Sequence, residues 1–139
     1  MRRAPIATSL IAAGLAAGGL RLARRRCTLV TVRGHSMNPT LTDGQRVLAV
    51  RRPRYRVGDV IVFGVAGGTG SPGDPHHRVK RVVAVGGAPR PAMFDGSTLP
   101  AVVPAGHLAV AGDNPAHSQD SRHLGYIPLP EVLGRVRIR

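Results

Sequence analysis

Three side chains in this sequence are of the types that together could cleave a peptide bond. Ser36 follows a β-branched stretch and precedes Pro39, whose ring restricts the backbone close to the hydroxyl. Lys80 lies in a valine-rich stretch, and Ser118 lies in a polar loop. A serine hydroxyl can attack a carbonyl when a neutral lysine takes its proton and a second hydroxyl orients the amine. The set therefore favours a serine–lysine hydrolase.

Lys80 is the only lysine in the chain, and the other basic side chains besides histidine are all arginine. Arginine cannot act as a base at neutral pH, whereas a desolvated lysine can. We expect Val79, Val82 and Val83 to desolvate the amine and Arg81 to add like-charge repulsion. Lowering the pKa of a lysine from about 10.4 to about 7 destabilises its charged form by roughly 4–5 kcal/mol.

Each of these segments also has a simpler interpretation. Ser36 could close a turn, Lys80 could extend its amine to solvent from an edge strand, and Ser118 could belong to an ordinary surface loop. Their occurrence together in one short chain favours the catalytic interpretation. In the same loop as Ser118, Asp120 and Arg122 are spaced to form an ion pair that would hold the loop in place.

The elements that must position these side chains are short strands. The chain has 139 residues with 17 Val, no Trp and 30 Gly and Pro together, which favours a mostly β domain over a bundle of long helices. One cysteine, Cys27, excludes an internal disulfide and a cysteine-rich zinc site. The pattern predicts strands at 28–33, 45–51, 59–63, 77–85, 107–111 and 134–138, loops at 64–75 and 112–125, and a helical turn at 130–133.

The net charge of +13 is concentrated at the N-terminus, where residues 1–26 carry six arginines and no acid. Between Arg3 and Arg21 lie 17 uncharged residues, close to the lower limit for a membrane span. We expect 1–26 to be an uncleaved membrane anchor, with a cleaved export signal and a soluble Ala-rich helix as alternatives. The arginines at 24–26 fit anionic lipid, although the positive-inside rule leaves the topology open. Residues 27–139 would then form the catalytic domain.

The order of the motifs resembles the type I signal peptidases, a family of membrane-bound serine–lysine proteases. The resemblance extends over residues 29–138. It depends on Ser-Met-Asn-Pro-Thr-Leu at 36–41, Gly-Asp-Val-Ile-Val-Phe at 58–63, the Val-Lys-Arg stretch through Gly-Gly at 79–87, Gly-Asp-Asn at 112–114 and Ser-Gln-Asp-Ser-Arg at 118–122. Several motifs in the same order are a more specific signal than any one of them alone.

The resemblance implies a role for each matching residue. It makes Ser36 the nucleophile and its backbone N–H an oxyanion donor, Lys80 the general base, and Ser118 the hydroxyl that orients the amine. The residues implied as structural support are Asp113, Asn114, Asp120 and Arg122. The implied fold is mostly β, an antiparallel β catalytic domain of the signal peptidase type with one N-terminal membrane helix.

The same resemblance implies the partners. The substrate would be a precursor protein with a cleavable N-terminal peptide, bound as an added strand beside the Ser36 segment, with small pockets for Ala-like side chains. The enzyme would need no cofactor and no metal, and the six histidines have no zinc-ligand spacing. It would be a single-pass membrane protein on an anionic lipid membrane, with its catalytic domain on the extracytoplasmic side.

The sequence departs from many members of that family at three places. Some members have a second hydroxyl two residues before the nucleophile, but this chain has Gly34 there, as the organellar inner-membrane branch does, so the second oxyanion donor is open. Ala88 stands where many members have Asp. The usual second, smaller β domain is reduced to residues 89–104. The chain is therefore expected to be a minimal catalytic core.

The sequence leaves several alternative functions to consider besides general signal peptide removal. Within the protease class, the alternative is a dedicated maturation protease for one precursor, such as nickel superoxide dismutase. A Ser–His–Asp hydrolase is disfavoured because His35 is adjacent to Ser36 and points the opposite way in extended chain. A self-cleaving repressor would need a DNA-binding domain in front. A basic membrane-surface or nucleic-acid-binding module fits the charge, but two Tyr and two Phe are too few to stack bases, so no nucleic acid partner is expected.

Overall fold

The computed structural model describes residues 26–65 and 77–138, which form one antiparallel sheet of seven strands in the order β1-β2-β7-β3-β4-β5-β6. The expected antiparallel β domain is thereby confirmed. The strands are β1 (Cys27–Thr31), β2 (Arg46–Val50), β3 (Val60–Gly64), β4 (His77–Val85), β5 (His107–Ala111), β6 (Ile127–Pro128) and β7 (Val132–Val136). One short helix, α1 (Ser121–Leu124), lies between β5 and β6.

Strand β3 is the centre of the core because apolar side chains cover it from both faces. Its residues from Val60 to Phe63 are all buried. Val60 and Val62 belong to a cluster with residues of β1 and β2, whereas Ile61 and Phe63 pack with residues of β4, β5 and β7. A strand buried on both faces is apolar at every position rather than at alternate positions. This explains the continuous apolar run that predicted the strand.

The last strand begins earlier than the sequence predicts. The expectation was a helical turn at 130–133 and a strand at 134–138, but a 3₁₀ turn occupies Leu129–Glu131 and β7 runs over Val132–Val136. Gly134, taken as the start of the strand, lies in its middle. A Cβ at Gly134 would stand 2.6 Å from the carbonyl carbon of Val50, so glycine here allows β2 to approach closely.

The predicted loop at 112–125 contains regular structure. A 3₁₀ turn covers Pro115–His117, and α1 begins after Asp120, whose side chain accepts a hydrogen bond from the backbone N–H of Arg122. The helix ends at Gly125, whose φ of 79° suits glycine. Four helical residues are too few for a periodic apolar pattern, so only the cap could have indicated them.

The region expected to hold a reduced second β domain, 89–104, has little regular structure. It contains one 3₁₀ turn, Ala92–Phe94, and a single bridge between Pro89 and Val102. Phe94 is fully buried against a third apolar cluster that includes Ala109 of β5. This extension therefore packs on the sheet through an aromatic side chain rather than through a second sheet.

The expected membrane anchor at 1–26 lies almost entirely outside the described residues. Within residues 26–65 and 77–138, no helix combines the length and hydropathy that a bilayer span requires. The same residues hold no group of three or more His, Cys, Asp or Glu side chains placed to bind a metal ion.

Candidate active site

Ser36 and Lys80 come together although 44 positions separate them in the chain. The Lys80 Nζ donates to Ser36 Oγ at 2.7 Å and to the carbonyl of Val79 at 3.1 Å. The Lys80 side chain is only 3% exposed, in the first half of β4. Val79 packs in the same apolar cluster as Met37, the residue after Ser36, which brings the two segments together.

Burial lowers the pKa of the Lys80 amine to about 8, and the Arg78 guanidinium adds to the shift by like-charge repulsion. Asp120 and Asp113 act in the opposite direction. The lowered pKa agrees with the expectation from the valine-rich strand. The expected cation, however, was Arg81, and this was wrong because Arg81 is occupied elsewhere.

Arg81 forms a bidentate ion pair with Asp113. Its Nε and Nη2 donate to the two carboxylate oxygens at 2.8 and 2.6 Å. The Thr40 hydroxyl donates to the same carboxylate at 2.6 Å, and Arg81 Nη1 donates to the carbonyl of Gly58 at 2.8 Å. The Arg81 guanidinium holds the pKa of Asp113 below its usual range. This pair ties together the Ser36 turn, β4 and the loop after β5.

Asn114 fixes the peptide groups on both sides of the Ser36 Cα atom. Its backbone N–H donates to the carbonyl of Ser36 at 2.9 Å, and its side-chain amide donates to the carbonyl of His35 at 3.1 Å. The sequence placed Asn114 among the supporting residues only through the family resemblance. Thr40 and Arg81 were missed as supporting residues, and only their positions within the resembling motifs could have indicated them.

Ser118 lies close to the Ser36 carbonyl across Gly112, but its hydroxyl donates to another partner. Ser118 is 9% exposed and its Oγ donates to Asp120 at 3.4 Å. Among residues 26–65 and 77–138, the hydrogen-bond acceptors of the Lys80 amine are Ser36 and Val79, not Ser118. The structure thus brings Ser118 near Ser36 without a hydrogen bond to the Lys80 amine, and the expected orienting role stays a prediction.

Asp120 and Arg122 form the ion pair that their spacing indicated. Arg122 Nε and Nη2 each donate to Asp120 at 2.9 Å, and the Asp120 side chain is fully buried. Burial acts to raise the pKa of this carboxyl, but the hydrogen bonds from Arg122 outweigh burial and lower the pKa. The buried carboxylate therefore remains charged near Lys80 and holds the loop that carries Ser118.

Gly112 lies between Ser36 and Ser118, and no feature of its sequence other than its place in a resembling motif indicates this position. A Cβ built on Gly112 would stand 2.6 Å from the Ser36 carbonyl oxygen and would collide with the Ser118 hydroxyl. The Ser36 turn and the Ser118 loop therefore meet at the end of β5, where residue 112 has no room for a side chain. A glycine at this position lets the nucleophile segment and the Ser118 loop approach each other.

We expect Gly112→Ala to lower kcat/KM by about 100-fold, because a displacement near 1 Å costs roughly that factor in an oriented site. Steady-state cleavage of a peptide substrate measures the loss of activity, and the midpoint of thermal unfolding measures whether the variant stays folded. Gly64→Ala is the matched control, since a Cβ there meets nothing within 4 Å. Full activity in Gly112→Ala would contradict the close-packed arrangement.

A cleft of about 360 Å³ opens beside Ser36 and Lys80. Its walls are the segment from β1 to Met37, the first half of β4, and His117 and Gln119 from the loop after β5, and apolar side chains of the first two line it. Strand β4 pairs with β5 only from Arg81 onward. In the part of the chain that the structure describes, the edge of His77–Lys80 that faces away from β3 is therefore not paired with another strand. Strand β1 forms one edge of the sheet. Within the described residues, no histidine hydrogen-bonds to Ser36, which counts against a Ser–His arrangement.

A family model described as signal peptidase, peptidase S26, matches residues 3–89 and 90–139, nearly the whole chain. The predicted family is thus confirmed, and with it the predicted class of activity, that of a protease that removes signal peptides.

Individual relatives agree with this family. The chain is 33% identical over 113 residues to mitochondrial inner membrane protease subunit 1 of Schizosaccharomyces pombe, covering 76% of this chain and 68% of the relative. It is 37% identical over 114 residues to mitochondrial ATP-independent inner membrane protease subunit 1b of Arabidopsis thaliana, with 74% and 63% covered. It is 33% identical over 139 residues to signal peptidase I of Bacillus caldolyticus, with 78% and 76% covered. By its family match and by these identities, the chain belongs to the signal peptidase family, peptidase S26.

Proposed function

We propose that this protein is a membrane-bound serine endopeptidase that removes signal or leader peptides with Ser36 as nucleophile and Lys80 as general base. The observation that carries the proposal is the 2.7 Å hydrogen bond between Lys80 Nζ and Ser36 Oγ, made by a buried amine. A base must lie within hydrogen-bond reach of the proton it takes, and its pKa must lie near the working pH. Lys80 meets both conditions.

Each step of the reaction then uses a group that lies in place. Neutral Lys80 takes the proton of Ser36 as Oγ attacks the scissile carbonyl, and the resulting ammonium gives that proton to the leaving amine. The acyl-enzyme is hydrolysed when the same amine takes a proton from the water that attacks the ester carbonyl, and the resulting ammonium returns this proton to Ser36 Oγ as the ester bond breaks. Arg78 and burial favour the neutral amine at the start of each half-reaction, because both lower its pKa.

The oxyanion that forms on the substrate carbonyl needs hydrogen-bond donors already in position. We assign the backbone N–H of Ser36 as one of them. Asn114 supports this assignment, because its two hydrogen bonds to the carbonyls of His35 and Ser36 fix the peptide planes next to that N–H. A second donor is not assigned to any side chain, because Gly34 offers none.

The substrate would lie in the cleft as an extended strand. The open edge of His77–Lys80 and the edge strand β1 both offer main-chain hydrogen-bonding groups to such a peptide. The cleft is lined by Val30, Val32, Met37 and Val79. These buried apolar side chains leave room for small side chains near the scissile bond, as the family resemblance implies.

Incubation of the purified protein with several candidate precursors, followed by mass spectrometry of the new N-termini, tests the function. Cleavage after small residues in several export precursors is the expected result. Cleavage of one precursor alone would favour a dedicated maturation protease. Absence of cleavage in every precursor, with a folded enzyme, would contradict the proposed function.

We expect the whole chain to remain in the membrane fraction after carbonate extraction. The 17 uncharged residues between Arg3 and Arg21 are the proposed span, and relatives named as inner membrane proteases support this location. Intact mass of the mature protein provides the second measurement. A mature N-terminus near Ala17 would show instead that the segment is a cleaved export signal.

We expect kcat/KM to rise with pH through about 8, the lowered pKa of Lys80, because only the neutral amine can accept the Ser36 proton. Below that pH the rate should fall about tenfold per unit. A pH–rate profile with a peptide that has no titratable side chain measures this dependence. A rate that is level from pH 6 to 9, in an enzyme that stays folded, would contradict the role of the lysine.

A further inference from the structure

The first part of the folded domain is strongly basic in sequence. Residues 26–58 contain seven arginines and one carboxylate, Asp43. Asp43 is engaged with the backbone N–H of Gly34 at 2.7 Å. Four of the seven arginines fall within the six residues Arg51–Arg56, Arg-Arg-Pro-Arg-Tyr-Arg, which we call the arginine loop.

The arginine loop is held firmly in place by its backbone. The Arg51 N–H donates to the carbonyl of Arg26 at 2.7 Å, and the Arg56 N–H donates to Asp59 at 3.0 Å. Tyr55 packs against the core cluster around Phe63, and its hydroxyl accepts from the Arg52 N–H at 3.3 Å. The loop is thus a fixed feature of the surface.

Three guanidinium groups of this loop face solvent. Arg52, Arg54 and Arg56 are exposed and alternate with Pro53 and with the inward-packed Tyr55. Within residues 26–65 and 77–138, none of the three guanidinium groups makes a hydrogen bond or an ion pair. Three unneutralised cations on a rigid loop form a site for a surface that carries several phosphates.

The position of the loop identifies which phosphate-bearing surface it meets. Its first residue is hydrogen-bonded to Arg26, at the start of β1. The chain that leads into Arg26 contains the proposed membrane span and the arginines at 24–26. The loop therefore lies where the domain joins its anchor, and an extended polynucleotide would find no aromatic platform there beyond the half-buried Tyr55.

We propose that Arg52, Arg54 and Arg56 dock the catalytic domain on anionic phospholipid headgroups, which sets the domain's orientation on the membrane surface. The inference rests on the membrane attachment in the proposed function. A basic side chain near an anionic membrane surface strengthens binding by about fivefold. Removing two of the three should therefore weaken docking by roughly 25-fold.

The test uses the full chain with a fluorophore at position 57, introduced by Val57→Cys in a Cys27→Ser background. Val57 is 64% exposed and adjoins the loop, and Cys27 is the chain's one cysteine. The protein is reconstituted in phosphatidylcholine vesicles or in vesicles with part of that lipid replaced by phosphatidylglycerol. Both contain a lipid with a nitroxide on its headgroup, which quenches a nearby fluorophore.

We expect strong quenching only with phosphatidylglycerol, and we expect added salt to reverse it. R54Q/R56Q should lose the quenching. R46Q/R137Q, which removes the same charge from exposed positions outside the loop, should retain it. Equal quenching in both vesicle types, or equal loss in both double variants, would overturn the proposal, as would binding of duplex DNA through these arginines without lipid-dependent quenching.

The same samples separate this inference from the proposed function. Peptide cleavage measured on the vesicles reports the protease, whatever the quenching shows. If the chain does not stay with phosphatidylcholine vesicles, membrane anchoring fails. The comparison of the two double variants on phosphatidylglycerol vesicles then still decides whether the arginine loop binds lipid.

Discussion

Replacement of Lys80 by arginine should abolish cleavage, with kcat/KM reduced by a factor on the order of 10³ or more. Arginine keeps the positive charge, but its guanidinium does not deprotonate at any pH where the protein is folded. The Ser36 hydroxyl would then have no base within reach. Cleavage of a peptide substrate, followed by mass spectrometry, measures the loss.

A second variant separates catalysis from folding, because a buried guanidinium could destabilise the domain by itself. Lys80→Met removes the amine and keeps an unbranched side chain of similar length. It should be equally inactive and yet more stable than the wild type at neutral pH. Near-wild-type activity in either variant would remove Lys80 from the mechanism.

The gain in stability follows from the sign of the pKa shift. The pKa of Lys80 is about 8 in the folded protein against 10.5 as the ordinary value, which is a penalty of about 3 kcal/mol for burying the charged amine. That penalty is fully present below pH 8 and disappears as the pH rises toward 10.5, because the unfolded chain binds the extra proton in this window. The difference in unfolding free energy between Lys80→Met and the wild type should therefore shrink from pH 8 upward.

The sequence predicted the strands well where the pattern is local. His77–Val85 and His107–Ala111 form strands with the predicted bounds, because β-branched runs ended by turn residues need no tertiary information. Gly134 could not be predicted as the middle of a strand. Its place depends on the backbone of Val50, which lies far away in the chain and leaves no room for a Cβ.

In the candidate site, too, local features could be predicted from the sequence and tertiary contacts could not. Residue type and a valine-rich strand were sufficient to single out Lys80 as a lysine with a lowered pKa. Side-chain alternation along the predicted strand could also have indicated the neighbouring cation, because Arg78 shares the face of Lys80 and Arg81 lies on the opposite face. Only the fold shows that Asp113 and Thr40 engage Arg81, which leaves Arg78 as the charge that acts on the amine.

Ser36→Ala should reduce kcat/KM by a factor on the order of 10⁴ or more and leave the fold intact. The substitution removes one oxygen atom, the nucleophile, and no other hydroxyl makes a hydrogen bond to the Lys80 amine among residues 26–65 and 77–138. Stability should change by only about 1 kcal/mol, the usual contribution of one hydrogen bond. Thermal unfolding and cleavage of the same preparation measure the two effects.

Binding of an intact substrate peptide by Ser36→Ala is the sharper test of the role of Ser36. Ser36→Ala should still bind a substrate peptide in the cleft, because the strand edges and the apolar lining that hold the peptide are unchanged. Binding with a wild-type Kd and no new N-terminus would place the serine in the chemical step rather than in recognition. Thr40→Ser, which keeps the hydroxyl that donates to Asp113, should remain active under the same conditions. Cleavage that persists in purified Ser36→Ala would mean that another nucleophile attacks the scissile carbonyl.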